Sequence, residues 1–230
     1  MILFETPHGQ CVGMADAGAI TQIRTGAVSG VATDLLARKD AKMLAIIGAG
    51  AQGRSHLEAM LCVRPQIEEV RVCDIRREAA EWYKAEMETK FGKPVTVCET
   101  VQEAVCGADI ICTLTPSKEP YLEADWVKPG THINAVGTFS PTTREVTSEL
   151  MAKSSLYADQ IEAMKKEAGE YLIPLQEGLI TEAHIKGSIG QLLLNQVQGR
   201  TSETEITLFD ALGLAVEDVI CGRYLCVGTR

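Results

Sequence analysis

The 230-residue sequence has no run of eighteen or more apolar residues, so it offers no candidate for a transmembrane helix. Its first residues, Met1 to Pro7, lack the basic region and the long apolar stretch of a secretory signal. Clusters of Lys and Arg are also missing, and the formal net charge is -9 at pH 7. Because binding to phosphate backbones depends on such clusters, the sequence argues against a nucleic acid partner. We expect a globular cytoplasmic protein without a membrane partner.

The eight cysteines show no framework of metal sites or disulfides. No two of them form a C-x-x-C pair, and no histidines lie near them at the spacing of a zinc site. Several sit in apolar runs, as Cys112 does after Ile110 and Ile111, where a free thiol behaves as a small hydrophobic group. We therefore predict reduced cysteines and no bound metal.

From residue 43 onward, short apolar runs alternate with longer amphipathic segments. This alternation is typical of βαβ units and a parallel sheet. Strands are predicted at 43–47, 70–73, 95–97, 109–113, 132–136 and 155–158, and helices at about 50–63, 78–90 and 101–105. The predicted fold class is α/β, a Rossmann-type doubly wound parallel sheet.

The N-terminal segment departs from this alternation. Residues 1–18 predict a hairpin with strands at 1–4 and 10–14, and a helix at about 21–37 then leads to the sheet. Two strands alone are only marginally stable. We therefore expect them to pair with a segment that this chain lacks or with another subunit.

A Gly-rich turn follows the first strand of the predicted sheet. Gly48, Gly50 and Gly53 form a G-x-G-x-x-G pattern that opens the next helix, and Asp74 ends the next strand, about 20 residues on. In such a turn the three glycines permit a tight bend, the approach of a pyrophosphate and close helix packing, respectively. The helix N-terminus adds N–H donors for the phosphates. The combination predicts a dinucleotide site.

Two alternatives to a dinucleotide site stay open. The glycines could shape a tight turn only, with Asp74 as a helix cap. A methyltransferase-type nucleoside site is the other alternative, and the third glycine argues against it.

Asp74 favours NAD over NADP, since a carboxylate there accepts hydrogen bonds from the adenosine ribose and would repel the 2'-phosphate of NADP. Arg76 and Arg77 leave NADP open, because a guanidinium beside the strand can hold that phosphate.

Two further segments, 113–116 and 136–139, follow strand ends. We expect both to border the nicotinamide half of the cofactor, with loops that only satisfy backbone groups as the alternative.

Several longer motifs carry a more specific signal than the glycines. They are the segments 23–29 (IRTGAVS), 47–53 (IGAGAQG), 108–111 (ADII), 129–137 (PGTHINAVG), 199–200 (GR) and 207–218 (TLFDALGLAVED). Together they resemble the ornithine cyclodeaminase/mu-crystallin family, and they follow the family's order through nearly the whole chain.

This resemblance implies a two-domain subunit, usually in a homodimer, in which a Rossmann domain is joined to a substrate and dimerisation domain. The chain would then hold remnants of the second domain at both ends of the Rossmann sheet. We expect a partial substrate and dimerisation domain with a linking helix at 1–37, the NAD(P)-binding Rossmann domain at 38–209, and a helix returning toward the substrate domain at 210–230. Family members begin with a further segment that bears a substrate-binding arginine and a lysine, and we expect this chain to start after it.

The resemblance also assigns roles to individual residues. Arg24 matches the arginine that holds the substrate carboxylate, a role suited to a planar fork of donors, with a surface ion pair as the alternative. The family's cofactor contacts fall on Ala51, Gln52, Asp74, Thr115, Val136, Gly137, Thr138 and Ala211. Together with Gly48, Gly50, Gly53 and Arg76, these residues are the predicted cofactor site.

The family's activities include ornithine cyclodeamination, alanine dehydrogenation and ketimine reduction. Phe139 stands where ornithine cyclodeaminases have a proton-carrying aspartate, and a phenyl ring cannot titrate. We therefore predict an NAD-dependent oxidoreductase that exchanges hydride with a small α-amino acid or its imine. The alternatives are a cyclodeaminase lyase that makes proline from ornithine with recycled NAD, and a non-catalytic NAD(P)H-binding protein with a shortened site.

Three other polar positions have weaker signals. His132 is a candidate acid or base, although the start of a strand is the favoured interpretation. Asp159 is interpreted as a helix N-cap. Glu217 and Asp218 either face a cleft between the domains or lie on a solvated helix face.

Overall fold

The computed structural model describes residues 1–228 of the chain. In chain order, the strands and helices are β1 (Ile2–Phe4), β2 (Cys11–Met14), α1 (Ala17–Leu36), β3 (Met43–Ile47), α2 (Ala51–Val63), β4 (Glu69–Cys73), α3 (Arg77–Phe91), β5 (Val95–Val97), α4 (Val101–Val105), β6 (Ile110–Thr113), β7 (His132–Ala135), α5 (Ser148–Lys153), β8 (Ser154–Ala158), α6 (Ile161–Glu167), α7 (Gly169–Gln176), β9 (Ile185–Ser188), α8 (Ile189–Leu193), β10 (Ile206–Asp210) and α9 (Ala215–Val227). Short 3-10 turns occur at Ala124–Trp126 and Glu182–His184.

Eight of these strands form one parallel sheet in the order β5-β4-β3-β6-β7-β10-β8-β9. The chain enters the sheet at β3, moves outward through β4 to β5, and then returns to the other side of β3 for β6. The carboxyl ends of β3 and β6 therefore form a topological switch point, where open α/β sheets bind their ligands. The predicted α/β fold class with a doubly wound parallel sheet is confirmed.

Strand β3 shows how the sequence builds this sheet. Leu44, Ala45 and Ile46 are fully buried, as expected for a parallel strand covered by helices on both faces. Leu44 and Ile46 belong to the same apolar cluster as Leu57 of α2, whereas Ala45 and Ile47 belong to a second cluster. Alternate residues of the strand thus contribute to two separate cores.

The predicted strands and helices between residues 43 and 158 agree with the structure to within one residue at each end. The first long helix is different, since it begins at Ala17 rather than near Thr21. Asp16 is its N-cap, and the Asp16 carboxylate accepts hydrogen bonds from the backbone N–H groups of Gly18 and Ala19. The predicted helix start was too late because it took no account of this cap.

Strand β10 is a further difference, because the sequence pattern predicts no strand at 206–210. It lies between β7 and β8, where Asp210 is in register with Ala135 on one side and with Ala158 on the other. The predicted C-terminal segment 210–230 starts at the last residue of this strand, and its helix, α9, begins at Ala215. Residues 229–230 of that segment lie outside the described residues. Strand β10 thus places Asp210, an ionisable residue, in the interior of the sheet.

The N-terminal strands form the predicted hairpin, with Ile2 in register with Met14. Helix α9 packs against it so closely that a Cβ on Gly13 would overlap Cys226. Large apolar side chains remain exposed on the hairpin, including Phe4, which is 61% exposed. The expectation that another chain or segment covers this surface stays a prediction.

No helix within residues 1–228 combines the length and the apolar character needed to cross a membrane. The same residues contain no group of three or more His, Cys, Asp or Glu side chains placed to bind a metal ion. All eight cysteines are free thiols.

Candidate active site at the carboxyl ends of the strands

A cavity of about 640 Å³ opens at the carboxyl ends of β3, β4 and β6. The Gly-rich turn after β3, the segment 74–76 after β4 and the loop 114–117 after β6 form its walls. Small-molecule sites have volumes of roughly 300–1,000 Å³. The cavity has a suitable volume for a ligand and coincides with the switch point of the sheet.

The glycines of the turn have different steric surroundings. Gly48 has a φ of 109°, and a Cβ there would lie 2.9 Å from the carbonyl oxygen of Leu114. A Cβ on Gly53 would overlap the carbonyl oxygen of Gly48. At Gly50, in contrast, an added Cβ meets no atom within 4 Å, and this residue lines the cavity. Gly48 and Gly53 therefore let the turn close, while Gly50 leaves space in front of the backbone.

Helix α2 begins directly at this open space. Its N-cap is Gly50, which supplies no side-chain cap. The first turn, which holds Ala51 and Gln52, therefore presents backbone N–H groups and the positive end of the helix dipole to the cavity. Such an end binds phosphate without further basic side chains.

Asp74 connects the end of β4 to the Gly-rich turn. Its Oδ2 accepts a hydrogen bond from the backbone N–H of Ala49 at 2.9 Å, and its Oδ1 accepts one from the backbone N–H of Arg76 at 2.8 Å. The Asp74 side chain is 12% exposed, whereas the Arg76 side chain is 76% exposed. The carboxylate is thus fixed at the cavity wall, and the largely exposed Arg76 also lines the cavity, with its Nε 4.0 Å from Asp74 Oδ1.

Glu145 joins the loops that follow β6 and β7. Its Oε1 accepts hydrogen bonds from the backbone N–H and the hydroxyl of Thr115, both at 2.7 Å, and from the hydroxyl of Tyr121 at 2.6 Å. Its Oε2 accepts a hydrogen bond from the backbone N–H of Gly137 at 2.9 Å. Glu145 is fully buried, so these bonds replace its solvation. One carboxylate thereby sets the relative position of Thr115 and Gly137.

A second buried carboxylate, Glu170 of α7, lies next to Glu145. Glu170 accepts hydrogen bonds from the backbone N–H groups of Glu145 at 2.5 Å and Val146 at 3.2 Å. The hydroxyl of Thr138 lies 3.4 Å from Glu170 Oε1. Burial, together with the charge of Glu145, raises the pKa of Glu170 to about 8, although the backbone hydrogen bond from Glu145 opposes this shift.

Asp210, at the end of β10, is the third buried acid of this region. It is fully buried, and neither of its side-chain oxygens has a hydrogen-bond partner among residues 1–228. Burial raises its pKa well above the ordinary value, and the charges of Glu170, Asp159 and Glu145 raise it further.

Arg24 lies at a different place, on α1 against α9. Its Nη1 is 3.1 Å from Glu217 Oε2, and its Nε is 3.3 Å from Asp218 Oδ1. The guanidinium also lies so close to Gly213 that a Cβ there would be 2.7 Å from Nη1. The structure thus shows the ion pair that the sequence left as the alternative, and the proposed carboxylate-binding role remains a prediction.

The remaining predicted positions are placed as follows. Val136 follows β7 directly, and Ala211 donates a backbone hydrogen bond to Ala135 at 2.9 Å, so both positions lie at the carboxyl edge of the sheet. His132 begins β7 at the opposite edge, where burial lowers its pKa to about 3. The favoured interpretation of His132 as a strand-start residue is confirmed.

Asp159 is not the N-cap that the sequence predicts. Gln160 caps α6, and its side chain accepts from the backbone N–H of Ala163. Asp159 instead accepts hydrogen bonds from the backbone N–H groups of Gln160 at 2.6 Å and Gly213 at 2.7 Å. It therefore ties the end of β8 to the segment after β10.

Sequence reasoning missed Glu145, Glu170 and Asp210. Glu145 and Glu170 are single acids in segments without a recognisable spacing pattern, and their hydrogen bonds arise only through tertiary packing. For Asp210 a signal did exist, because it follows the apolar pair Leu208 and Phe209 in a resembling motif. A carboxylate at the end of an apolar run, as at Asp74, marks the end of a parallel strand.

Comparison with known proteins places this site in a family. The family described as "Ornithine cyclodeaminase/mu-crystallin family" matches residues 1–226. The chain belongs to this family. A Delta(1)-pyrroline-2-carboxylate reductase of Bacillus cereus is 38% identical over 226 residues, which are 98% of this chain and 69% of the relative.

Two solved structures of relatives are also closely similar. The Thermococcus litoralis Delta(1)-pyrroline-2-carboxylate reductase in complex with NADH and L-proline superposes with a TM-score of 0.94 at 40% identity, covering 96% of this chain and 68% of the relative. An archaeal alanine dehydrogenase dimer with bound NAD has a TM-score of 0.92 at 34% identity, covering 99% of this chain and 69% of the relative. The arrangement of strands and loops around the cavity is thus shared with proteins that bind nicotinamide dinucleotides.

Proposed function

We propose that the protein is an NAD-dependent oxidoreductase that reduces the C=N bond of a small cyclic or linear α-imino acid. The observation that carries this proposal is the Gly-rich turn, with Asp74 bonded to it, at the switch point of a sheet shared with an NADH-bound imine reductase. The reverse reaction, oxidation of the corresponding α-amino acid, uses the same groups.

The residues of the cavity fit a dinucleotide. The space in front of Gly50 and the N-terminus of α2 suit a pyrophosphate, which would accept hydrogen bonds from the backbone around Ala51 and Gln52. Asp74 suits the adenosine ribose, and the residues proposed to border the nicotinamide half are Thr115, Val136, Gly137, Thr138 and Ala211. The cofactor, when bound in reduced form, supplies the hydride.

Asp74 also supports NAD as the preferred cofactor. The carboxylate is held by two backbone N–H groups, so it cannot easily turn away from a 2'-phosphate. Arg76 lines the same cavity, but its side chain is 76% exposed, so water weakens its attraction for a phosphate. We therefore place NAD before NADP.

Arg24 is the proposed anchor for the substrate carboxylate. It is already paired with Glu217 and Asp218, so a substrate would replace one of these carboxylates or share the guanidinium with it. Because the two acids hold the planar guanidinium in place, the site costs little side-chain entropy when a substrate binds.

Phe139 supports imine reduction over cyclodeamination. It lies in the loop after β7, next to Thr138, and its side chain is 73% exposed. A phenyl ring cannot carry the proton that cyclodeamination of ornithine needs at this position. Reduction of an imine requires only a hydride and one proton.

A homodimer is the proposed assembly. The archaeal alanine dehydrogenase relative is a dimer, and this chain exposes large apolar side chains on its hairpin and on α9, including Phe4, Met14, Ile220 and Leu225. Several large exposed apolar side chains on elements that pack together are typical of an interaction site.

The test is turnover of the purified protein with NADH and Δ1-pyrroline-2-carboxylate, followed by the loss of reduced-nicotinamide absorbance. We expect turnover, and we expect Asp74→Asn to raise the KM for NADH while Asp125→Asn, whose side chain is 93% exposed, does not. Ammonia release from ornithine would favour the lyase instead. Tight NADH binding without turnover on any imine or amino acid would favour a non-catalytic protein.

A further inference from the structure

Cys73 and Cys98 lie side by side at the carboxyl ends of two neighbouring strands. In the parallel pairing of β4 with β5, Val72 is in register with Val97, so the next residues along the two strands are the two cysteines. The backbone N–H of Cys98 donates to the carbonyl oxygen of Val72 at 2.9 Å, which continues the pairing as far as Cys98. The two cysteines are therefore direct neighbours on strands that run roughly 4.7–4.9 Å apart.

Both thiol groups point to the same face of the sheet. Val72 and Val97 pack in the apolar cluster of Leu44, whereas Cys73 belongs to the cluster on the opposite face and Cys98 packs against it. Since successive side chains of a strand alternate between the two faces, this division places both thiols on one side. A disulfide joins residues whose Cα atoms are roughly 4.4–6.8 Å apart. The pair thus meets the distance and the direction that a disulfide requires.

The cysteine pair also lies at the wall of the candidate cofactor site. Cys73 lines the cavity and directly precedes Asp74. The carbonyl oxygen of Cys73 accepts a hydrogen bond from the backbone N–H of Gly48 at 2.9 Å, so its backbone is bonded to the Gly-rich turn. On the other strand, Val101 lines the cavity three residues after Cys98. A movement of either cysteine would therefore displace a residue of the cavity wall.

The surroundings of the two thiols favour their reduced form. Cys73 is buried and Cys98 is half-buried. Burial raises the pKa of Cys73 to about 11 and also raises the pKa of Cys98. Because the thiolate is the nucleophile, both groups react slowly at neutral pH. The charged groups that act on them are the acids Glu69, Asp74 and Glu103, which raise one or both pKa values, and Arg71, which lowers the pKa of Cys98.

We propose that Cys73 and Cys98 form a reversible intramolecular disulfide, with a small organic disulfide as the oxidant, and that this modification weakens binding of the dinucleotide. The effect on the dinucleotide rests on the proposed function. A disulfide holds its two Cβ atoms roughly 3.8 Å apart, about 1 Å closer than the spacing of neighbouring strands. Since a binding site must keep its groups within about 0.5 Å of the productive geometry, this closure disturbs either Asp74, next to Cys73, or Val101, close to Cys98.

Atoms and electrons balance in this exchange. Cys98, the more accessible thiol, loses its proton and attacks one sulfur of the organic disulfide, whose S–S bond breaks and releases a first thiolate that takes up a proton. Cys73 then loses its proton, and its sulfur attacks Sγ of Cys98 and releases the second thiolate, which is also protonated. The two cysteines lose two electrons and two protons in all, and the oxidant becomes two thiols.

Disulfide mapping tests the bond directly. The purified protein is incubated with 2-hydroxyethyl disulfide, its free thiols are blocked with N-ethylmaleimide, and it is digested with trypsin and a glutamate-specific protease. Cleavage after Arg71 and Arg76 isolates Cys73, and cleavage after Glu99 separates Cys98 from the later cysteines. We expect mass spectrometry to find peptides 72–76 and 91–99 linked, and reduction to separate them. Absence of this linked pair from oxidised wild type would overturn the inference.

Calorimetric titration with NADH tests the effect on the site. We expect the Kd of wild type to rise at least fivefold after oxidation and to return to its first value on reduction with dithiothreitol. Cys98→Ser cannot form the bond and should bind NADH equally before and after the same treatment. Cys62→Ser, which lacks an exposed thiol of α2, is the control and should respond as wild type does. An unchanged Kd in wild type that carries the mapped disulfide would overturn the regulatory role.

The two measurements separate this inference from the proposed function. If reduced wild type fails to bind NADH while mapping finds the disulfide, the proposed function is overturned and the disulfide stands. If reduced wild type binds NADH but oxidation raises the Kd of Cys98→Ser as much as that of wild type, another thiol causes the loss. That result would overturn the role of the cysteine pair and leave the proposed function intact.

Discussion

Glu145 accepts a hydrogen bond from the backbone N–H of Gly137 at 2.9 Å while its other oxygen holds the loop after β6. A Cβ on Gly137 would overlap the backbone of Thr115, so the two loops are in direct contact at this point. The Glu145 carboxylate and Gly137 together hold the loops after β6 and β7 against each other at the edge of the candidate site.

Glu145→Gln tests whether the Glu145 carboxylate holds the loops after β6 and β7 together. An amide nitrogen cannot accept a hydrogen bond, so either Gly137 or the Thr115 and Tyr121 donors lose their partner. We expect a loss of about 1–3 kcal/mol in the free energy of unfolding and a higher KM for NADH. Chemical denaturation and steady-state kinetics measure the two effects. Glu149→Gln, on the exposed face of α5, is the control. Equal changes of the unfolding free energy and of the KM in both variants would argue against a role of Glu145 in holding the two loops.

The glycines of the turn should separate folding from cofactor binding. Gly53→Ala places a methyl group onto the Gly48 carbonyl oxygen and is expected to destabilise the fold by roughly 1–3 kcal/mol. Gly50→Ala meets no atom and should leave thermal stability unchanged, while its methyl group fills the space proposed for the pyrophosphate. Calorimetry should therefore record at least a tenfold weaker affinity for NADH in Gly50→Ala. Full affinity in that variant would place the pyrophosphate elsewhere.

Arg24 should affect the substrate and leave the cofactor unaffected. Arg24→Gln removes the charged donors, so we expect the KM for the imino acid to rise by tenfold or more with little change in the Kd for NADH. Glu217→Gln weakens the existing ion pair and should lower that KM. The exposed Arg223→Gln serves as the control. Parallel changes in both constants in Arg24→Gln would instead indicate a purely structural ion pair.

The stability of the protein should fall as pH rises from 6.5 to 8. The raised pKa of Glu170, about 8 against an ordinary 4.5, means that the folded state binds a proton that the unfolded state has released. Buried His56 and His132, with pKa values lowered to about 4 and about 3, lower stability only as pH falls below 6.5. Above pH 6.5, buried acids such as Glu170 therefore determine how the free energy of unfolding changes with pH. The change is up to roughly 1.4 kcal/mol per pH unit for each proton.

Urea denaturation at several pH values in this window measures that slope. Glu170→Gln cannot titrate and should reduce it, while Glu149→Gln should not. A wild-type stability that rises between pH 6.5 and 8 would contradict the protonated state of these acids.

The sequence predicted the sheet well where burial and local pattern agree. Strands such as Met43–Ile47 are apolar on both faces, so they can be recognised without tertiary information. Strands Ile185–Ser188 and Ile206–Asp210 include Lys186, Gly187 and Asp210, and their strand character arises only from pairing with β8 and β7.

The candidate site, like the sheet, could be predicted from the sequence only where a local pattern specifies it. The Gly-rich turn and Asp74 have a fixed spacing with a steric and electrostatic reason, and both line the cavity. The acids Glu145 and Glu170 lie in separate segments, and their contacts depend on how α5 and α7 pack behind the sheet. No local pattern encodes that arrangement.

The Gly-rich turn and Asp74 together should hold a nicotinamide dinucleotide with preference for NADH. Calorimetric titration of the wild-type protein and of Asp74→Asn with NADH and NADPH tests this central claim most directly. We predict that wild type binds NADH at least tenfold more tightly than NADPH and that Asp74→Asn loses most of this preference by weaker binding of NADH. Absence of NADH binding to wild type, or an unchanged preference in Asp74→Asn, would contradict the claim.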